Sequence, residues 1–394
     1  MFQRKRCNVA DDGTINAFYG DNTYRDDGSN GQVMVYQPKF YYQRVPIDTE
    51  LAAVGQTIKK EVLMLSVSPQ TGFKVHPLFI NDDGEEVDYV LLSAYDSCVY
   101  DVSNGAYIDN DGGNVDMAVD KLSSISGVKP LSGQNNSLTL ANANGLANNR
   151  GEGWKISNMA AESANQMLEM VEFGSMNGQA NLGKGVVSLS TISGRNFGSH
   201  TGSTASLGNI SGSAASTYNY SNGQANTYTN EGMVAISYRG YENPWGQLWT
   251  LIDGIRVYGN GEYGGGIPQI LNSEGEYESI GFTLPNGSGW ISGMGYGNDK
   301  YDWVYMPSAI SDNANSYAPV GDYIWVSSNL NSTHKVVSGG AASRTDYAGP
   351  FCYACDSPAD GSTAVINPRL MYVPQAKDSI YTTNISKWQT ALLR

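Results

Sequence analysis

Three histidines, four cysteines and thirty-eight carboxylates are the groups from which catalysis or metal binding could be built in this 394-residue chain. The histidines, His76, His200 and His334, stand far apart, and none lies in the His-Glu-x-x-His spacing that puts two imidazoles on one helix face for zinc. No Gly-x-Ser-x-Gly elbow is present to raise a nucleophilic serine. Cys352-Tyr-Ala-Cys355 has the spacing of a redox or metal pair, but with no second pair and no neighbouring histidine it reads as two ordinary thiols. With Cys7 and Cys98 the cysteines are too few and too scattered to staple a chain of this size, a count that suits assembly in a reducing cytoplasm.

Two glycine-rich phrases imitate phosphate sites. Gly178-Gln-Ala-Asn-Leu-Gly183-Lys184 has Walker spacing, yet Gly185 stands where a magnesium-binding hydroxyl is needed and no apolar strand leads into it. Gly259-Asn-Gly261-Glu-Tyr-Gly264 spells a dinucleotide fingerprint, but Gly265-Gly266-Ile267-Pro268 follows where a helix must begin, so it is a turn cluster. Asp109-Asn-Asp111-Gly-Gly113-Asn114 has the carboxylates of a calcium loop with the turn glycine misplaced, and reads as an acidic surface loop. So many acids always offer some pair for glycoside hydrolysis, and no pattern singles one out. No catalytic residue, metal or cofactor is expected.

The positive chemistry is of another kind. Tyr, Trp, Asn and Ser crowd the C-terminal loops, where aromatic rings supply rigid amphipathic contact area and small polar side chains supply adaptable hydrogen bonds. The residues expected to bind a ligand are Tyr317, Tyr323, Ser343, Arg344, Asp346, Tyr347, Phe351, Tyr353 and Asp356. Trp303, Tyr305 and Trp325, flanked by apolar neighbours, are assigned to the core.

The elements that must position these residues follow from composition and period. Only 16% of residues are charged, while Gly (46) and Tyr (26) abound, the profile of short strands joined by many turns. Turns at Asp11-Asp12-Gly13 and Asp26-Asp27-Gly28 bound strands such as Gln32 to Tyr36, and Val62 to Val67, His76 to Ile80 and Tyr89 to Tyr95 read as three more. Residues 101–120 read as a polar loop. The one convincing helix is 157–173, with Ser157 or Asn158 to cap it, Ala160, Ala164, Met167, Leu168 and Val171 at helical spacing, and Gly174 to end it. From 174 to 230 Gly, Ser, Asn and Thr dominate. That stretch is either a linker or, as Val186, Val187, Leu189, Phe197, Leu207 and Ile210 indicate, a set of long loops packed on the domain. Met233 to Tyr258, with Trp245, Trp249, Leu251 and Ile252, has the density of a strand covered on both faces. The last twenty residues, ending in Ile385, Trp388 and Leu392, are expected to form a short helix.

A formal charge of −14 and a pI near 4.6 disfavour nucleic-acid binding, since no basic tract exists beyond Arg4-Lys5-Arg6. No run approaches the roughly 18 apolar residues of a membrane span, and the N-terminus lacks the apolar region of a signal peptide.

The order of phrases resembles a known group. Arg6-Cys-Asn-Val-Ala-Asp-Asp-Gly-Thr14, Val35-Tyr-Gln-Pro-Lys-Phe-Tyr-Tyr42, Gly72-Phe-Lys-Val-His-Pro-Leu-Phe-Ile80, Ser126-Gly-Val-Lys-Pro130 and Ser163 to Gly174 are similar to phage tail-fibre and tail-tip proteins of gut viruses. The most specific piece is Tyr238-Arg-Gly-Tyr-Glu-Asn-Pro-Trp-Gly-Gln-Leu-Trp249, completed by Asp253-Gly254. Ser338-Gly-Gly340, Ala348-Gly-Pro-Phe351 and Asn367-Pro-Arg-Leu-Met-Tyr372 close the series, so the resemblance runs from about residue 6 to 374. These proteins look like the formylglycine-generating-enzyme branch of the C-type-lectin fold, which includes tropism determinants diversified by retroelements.

The resemblance implies an α+β class, a C-type-lectin-like fold with a twisted antiparallel sheet, few helices and long Gly/Ser/Asn-rich loops. It implies an N-terminal β-hairpin segment over 1–60, the lectin-like domain over 61–374 with a long loop insertion at 174–230, and a tail over 375–394. It also implies a virion tail adhesin whose loops at 301–325 and 341–359 recognise a host-surface glycan or protein. Its partners would be the host receptor, other virion tail proteins and further copies of itself, in a trimer or other ring that multiplies weak sites. With Met1 directly against the opening phrase, another virion protein supplies the shaft or the chain is trimmed. The branch's enzymes bind copper through a cysteine pair close behind the Gly-Gly phrase, whereas Ala341, Ala342 and Ser343 follow Gly339-Gly340 here, so the activity is not carried over. Neither Glu-Pro-Asn nor Trp-Asn-Asp, the calcium-holding phrases of animal lectins, occurs. The alternatives are an oxidoreductase of that type, with Cys352 and Cys355 in an open cleft, and a structural collar or fibre-joint protein. In the Arg239-to-Trp249 phrase, a charged pair of Arg239 and Glu242 is expected to pin a turn while Trp245 and Trp249 fill the core, a folding role.

Overall fold

Turn chemistry sets the first strands in a computed structural model, which describes residues 3–110, 113–134, 136–189, 198–219, 225–259, 265–311, 320–327 and 332–375. Tyr317 and the expected terminal helix lie outside the described residues. β1 (Lys5–Val9) and β2 (Ile15–Phe18) form a hairpin in which Asp12 Oδ1 accepts from the Thr14 amide at 2.9 Å. Gly13 sits at φ +85° against the Tyr372 ring, where a Cβ would lie 2.1 Å from the phenol oxygen. β3 (Gln32–Pro38), β4 (Tyr41–Leu51), β5 (Gln56–Ser66), β6 (Lys74–Val75) and β7 (Tyr89–Ser93) follow. The expected strand at His76 is instead a 3-10 turn, Pro77–Phe79, because Pro77 fixes the first position and His76 Nδ1 accepts from the Leu78 amide at 3.2 Å. β8 (Cys98–Asp101), β9 (Ala106–Tyr107) and β10 (Lys121–Ser123) form a small sheet, so part of the expected polar loop is strand.

Helix α1 (Leu140–Asn148) has no counterpart among the expectations. Its Asn-rich sequence with Gly145 inside carries little helical signal, and the Thr139 hydroxyl, accepting from the Asn142 amide at 3.2 Å, starts it. After β11 (Trp154–Ile156) comes α2 (Met159–Phe173), begun by the Asn158 side chain and ended by Gly174 at φ +64°, as its sequence predicts. The 174–230 stretch contains α3 (Gly178–Leu182), β12 (Gly212–Ala214), β13 (Ser216–Asn219) and β14 (Ala225–Tyr228). Val186, Val187 and Leu189 are buried there, so this part packs on the body, while Ile210 is exposed. The remaining strands are β15 (Ala235–Tyr238), β16 (Tyr241–Glu242), β17 (Trp249–Tyr258), β18 (Ile267–Leu271), β19 (Tyr277–Ser279) and β20 (Gly289–Tyr296). They end with β21 (Pro307–Ser311), β22 (Tyr323–Val326), β23 (Thr333–Gly339), β24 (Gly349–Cys355), β25 (Ile366–Pro368) and β26 (Leu370–Tyr372).

Two large sheets replace the single sheet expected. One has six strands in the order β11-β26-β7-β3-β1-β2; the other has twelve, along β19-β18-β17-β23-β24-β22-β20-β5-β4-β6, with β21 on β20 and β25 on β17. Among the described strands pairing is antiparallel apart from β17 with β25 and β22 with β24. Residues 5–60 are woven into both sheets, β3 pairing with β7 and β5 with β20. The two-residue alternation of strands divides the interior. Ile252, Ile255 and Val257 of β17, Val336 of β23 and Ile324 of β22 join α2 in one core, whereas Trp249, Leu251 and Val337 turn to a second core with α1, Trp154 and Leu370.

The Arg239-to-Trp249 phrase has a folding role, by other contacts than those expected. Arg239, Asn243 and Gln247 are non-glycine residues at φ +48°, +47° and +57°, a conformation that costs roughly 1–3 kcal/mol each and needs support. A buried hub supplies it: Asp96 accepts from Gln247 Nε2 at 2.6 Å and from Arg369 Nη1 at 2.8 Å, and Arg369 also donates to the Glu242 carbonyl at 2.9 Å. Arg239 pairs not with Glu242 but with Glu172 at the end of α2, at 2.5 Å. Glu242 instead accepts from the Gly202 and Thr204 amides and the Thr204 hydroxyl, tying down the 198–208 loop.

Candidate functional site

Strand β24 sorts the expected site residues by alternation. Phe351, Tyr353 and Cys355 point into the core under α2, while Cys352 and Ala354 face the second core. Phe351 is 1% exposed and Tyr353 0%, so neither belongs to a binding face. Tyr353 Oη accepts from Gln166 Nε2 at 2.6 Å and donates to the Tyr305 carbonyl at 3.1 Å, which anchors α2 to the sheet. The same alternation separates the two thiols. Cys352 and Cys355 project from opposite faces of one strand, both are buried, and burial pushes both well above the ordinary thiol range, so they form neither a metal pair nor an open redox site.

The opposite face of β22 carries the aromatic surface. Tyr323 and Trp325, two residues apart, share it, and Trp290 of β20 lies directly across from Tyr323 in the ladder. Tyr347 leans onto all three. Its ring centroid lies 4.9 Å from Trp290, 4.7 Å from Tyr323 and 5.6 Å from Trp325, while Tyr323 and Trp325 are 4.5 Å apart. The first three rings are half-buried and Tyr347 is 37% exposed, so they form a fixed platform open to solvent on one side. Arg344 lies against it, its guanidinium 4.8 Å from the Trp325 ring and 5.6 Å from Trp249, which is itself buried.

The loop that brings Arg344 and Tyr347 here is held by backbone bonds. Gly339 and Gly340 both lie at φ +84°, and a Cβ on Gly340 would stand 2.8 Å from Ala348 Cβ, so the reversal needs glycine. The Ala342 amide donates to the Gln247 carbonyl at 3.0 Å and the Thr345 amide to that of Val187 at 2.8 Å. Gln179 Nε2 of α3 reaches the Thr345 and Ala348 carbonyls at 2.8 and 2.7 Å. Asp346, at the rim, pairs with Lys184 at 3.1 Å, and that contact holds the lysine pKa above its ordinary value. Ser343 is exposed on the same loop. Asp356 is exposed just past the end of β24, two residues beyond Ala354, which stands beside Trp325 in the ladder.

Trp303 and Tyr305 are core residues as expected, and Trp325, also assigned to the core, is half-buried: it packs edge-on against Trp249 of the second core at 5.6 Å while its ring also joins the platform, because Ile324 and Val326 on either side of it take the positions under α2. Trp290 was missed, although the run Trp290-Ile291-Ser292 alternates and places the tryptophan opposite the inward Ile291. Two of the imitated motifs have described residues with structural roles, while residues 260–264 of the third lie outside the described residues. Gly178 opens the short α3 under Pro350, where a Cβ would lie 2.5 Å from the proline ring. Asp109 accepts from the Lys129 amide at 2.9 Å and pairs with His200. His76 is buried and pushed down to about 3, so it stays neutral, with Nδ1 occupied by the Leu78 amide and Nε2 3.2 Å from the Ser163 hydroxyl.

No protein-family model matches the chain, and no curated protein matches it. Among solved structures it aligns with the major tropism determinant P3c variant at 12% identity and a TM-score of 0.31, over 94% of this chain and 71% of that one. It aligns with the I1 variant of the same determinant at 12% identity and a TM-score of 0.31, over 94% of this chain and 72% of that one.

Proposed function

We propose that the chain is a receptor-binding adhesin of a phage tail, which takes hold of a glycan or protein on the host surface through the Trp290, Tyr323, Trp325 and Tyr347 platform and the adjoining loop at Ser343, Arg344 and Asp346. The observation that carries this reading is the platform itself: four aromatic rings in mutual contact, fixed on a paired sheet and left open to solvent, with an arginine against them. Rings already immobilised by one another lose little conformational entropy when a ligand covers them, and Trp, Tyr and Arg are the residues that dominate binding hot spots. The tail assignment rests on the phrases between residues 6 and 374 that resemble phage tail proteins. In this role the chain stands on the virion tail beside other tail proteins and does no chemistry on its target. The formylglycine-generating alternative loses its cysteine pair, since Cys352 and Cys355 face different cores.

The test is attachment of the purified chain to whole cells of candidate gut bacteria, comparing the natural protein with Trp290→Ala and Tyr347→Ala. Attachment weakened about fivefold or more by each substitution, with an unchanged circular-dichroism spectrum, supports the reading. Undiminished attachment by both folded variants overturns it.

A further inference from the structure

Beside the platform lies a cation that the fold leaves without a partner. Every other arginine among the described residues hydrogen-bonds through its guanidinium to a group of this chain, as Arg44 does to Glu61 and Arg369 to Asp96. The Arg344 guanidinium makes no such bond. Its Nε is buried unpartnered, and the group lies 4.8 Å from the Trp325 ring and 5.6 Å from that of Trp249. The side chain is half-buried, so Nη1 and Nη2 meet solvent. Asp346, two residues on, is already taken by Lys184 at 3.1 Å. A chain of formal charge −14 thus holds an uncompensated positive charge against a cluster of four contacting rings.

Each half of this arrangement selects a different part of a ligand. A guanidinium packed against rings offers its outer N–H groups in a fixed plane, the geometry that takes both oxygens of a carboxylate. The rings beside it take a rigid apolar face. Aromatic clusters also suit a quaternary ammonium, but the charge of Arg344 repels one. A carboxylate on a flexible protein side chain brings the charge without the rigid face. A pyranose ring that carries a carboxyl group brings both, its C–H face covering an aromatic ring and its charged edge reaching the arginine alongside.

We propose that the platform selects an acidic saccharide, a sugar whose ring covers the surface of Trp290, Tyr323, Trp325 and Tyr347 and whose carboxylate pairs with Arg344. This rests on the adhesin reading of the platform and adds the chemical class of its ligand. The test pairs whole-cell attachment with an array of immobilised oligosaccharides that are neutral, phosphorylated, or carboxylated with hexuronic or sialic acids. The natural chain is expected to bind carboxylated members and not their methyl esters. Arg344→Gln, with an unchanged circular-dichroism spectrum, should bind them about tenfold or more weakly, and Arg344→Lys should fall between. On cells, attachment should survive protease treatment of the cell surface and fall in Arg344→Gln. Attachment lost in Trp290→Ala but kept in Arg344→Gln overturns the acidic ligand and leaves the platform standing; attachment kept in both overturns the platform as well. An array with no bound member, binding confined to neutral or phosphorylated members, methyl esters bound as tightly as the acids, or attachment abolished by protease each overturn the proposal.

Discussion

Replacing Glu169 by Gln should stabilise this protein, and by an amount that grows with pH. Glu169 lies on the buried face of α2, 3% exposed, and neither carboxylate oxygen has a hydrogen-bond partner among the described residues. Burial pushes its pKa up from 4.5 to about 8, with Arg4 drawing it down and Glu162 and Glu172 raising it further. A carboxyl with a raised pKa in the fold is bound to its proton there while the unfolded chain has released it. Stability contributed by the protonated form is therefore complete below about pH 4.5 and is lost as pH rises toward 8. Across that window each pH unit costs about 1.4 kcal/mol, or about 3 kcal/mol by pH 7. Glu169→Gln keeps the shape and removes the titration, so its advantage over the natural chain should be under about 1 kcal/mol at about pH 5 and rise by about 1.4 kcal/mol per unit above it. Urea denaturation of both proteins at about pH 5, 6.5 and 8 reads the difference directly. An advantage that does not change with pH, or a variant less stable than the natural chain at about pH 8, would show that Glu169 is ionised in the fold and paired with Arg4, and would refute the reasoning.

The other expectations concern the site, the hub and the thiols. Tyr347→Ala and Trp290→Ala should each weaken host-cell binding by about 1–3 kcal/mol and leave the fold intact, whereas Tyr353→Ala should destabilise the chain by roughly 3–5 kcal/mol, measured by thermal melting beside a cell-binding assay. Asp96→Ala leaves Arg369 buried without its carboxylate and should cost roughly 3–5 kcal/mol in chemical denaturation; a loss below about 1 kcal/mol would mean that the hub does not hold the left-handed residues. Ellman's reagent should find no reactive thiol in the native protein and four after denaturation, because Cys7, Cys98, Cys352 and Cys355 are all buried. Rapid labelling of Cys352 or Cys355 in the native state would contradict the placement of β24.

Local rules were legible in the sequence wherever one residue type answers one backbone need. Asn158 and Gly174 mark the ends of α2, Asp12 and Gly13 make the first turn, and the density of apolar residues around Trp249 marks a strand covered on both faces, because capping, positive φ and burial each act over a few neighbouring residues. The sequence also offered Tyr323, Arg344, Asp346 and Tyr347 as candidates for a binding face, and the structure brings Tyr323, Arg344 and Tyr347 together with Asp346 at the rim. Tertiary structure alone decided which aromatics face outward. A strand has two faces and a sequence names neither, so Tyr353, expected on the binding face, went into the core once the pairing of β22 with β24 set which side meets α2. The same physics parted Cys352 from Cys355, drew Arg239 to Glu172 and not to Glu242, and brought Trp290 beside Tyr323 from more than thirty positions away along the chain. The last two contacts join segments remote in sequence, where tertiary packing and not the chemistry of neighbouring residues chooses the partner.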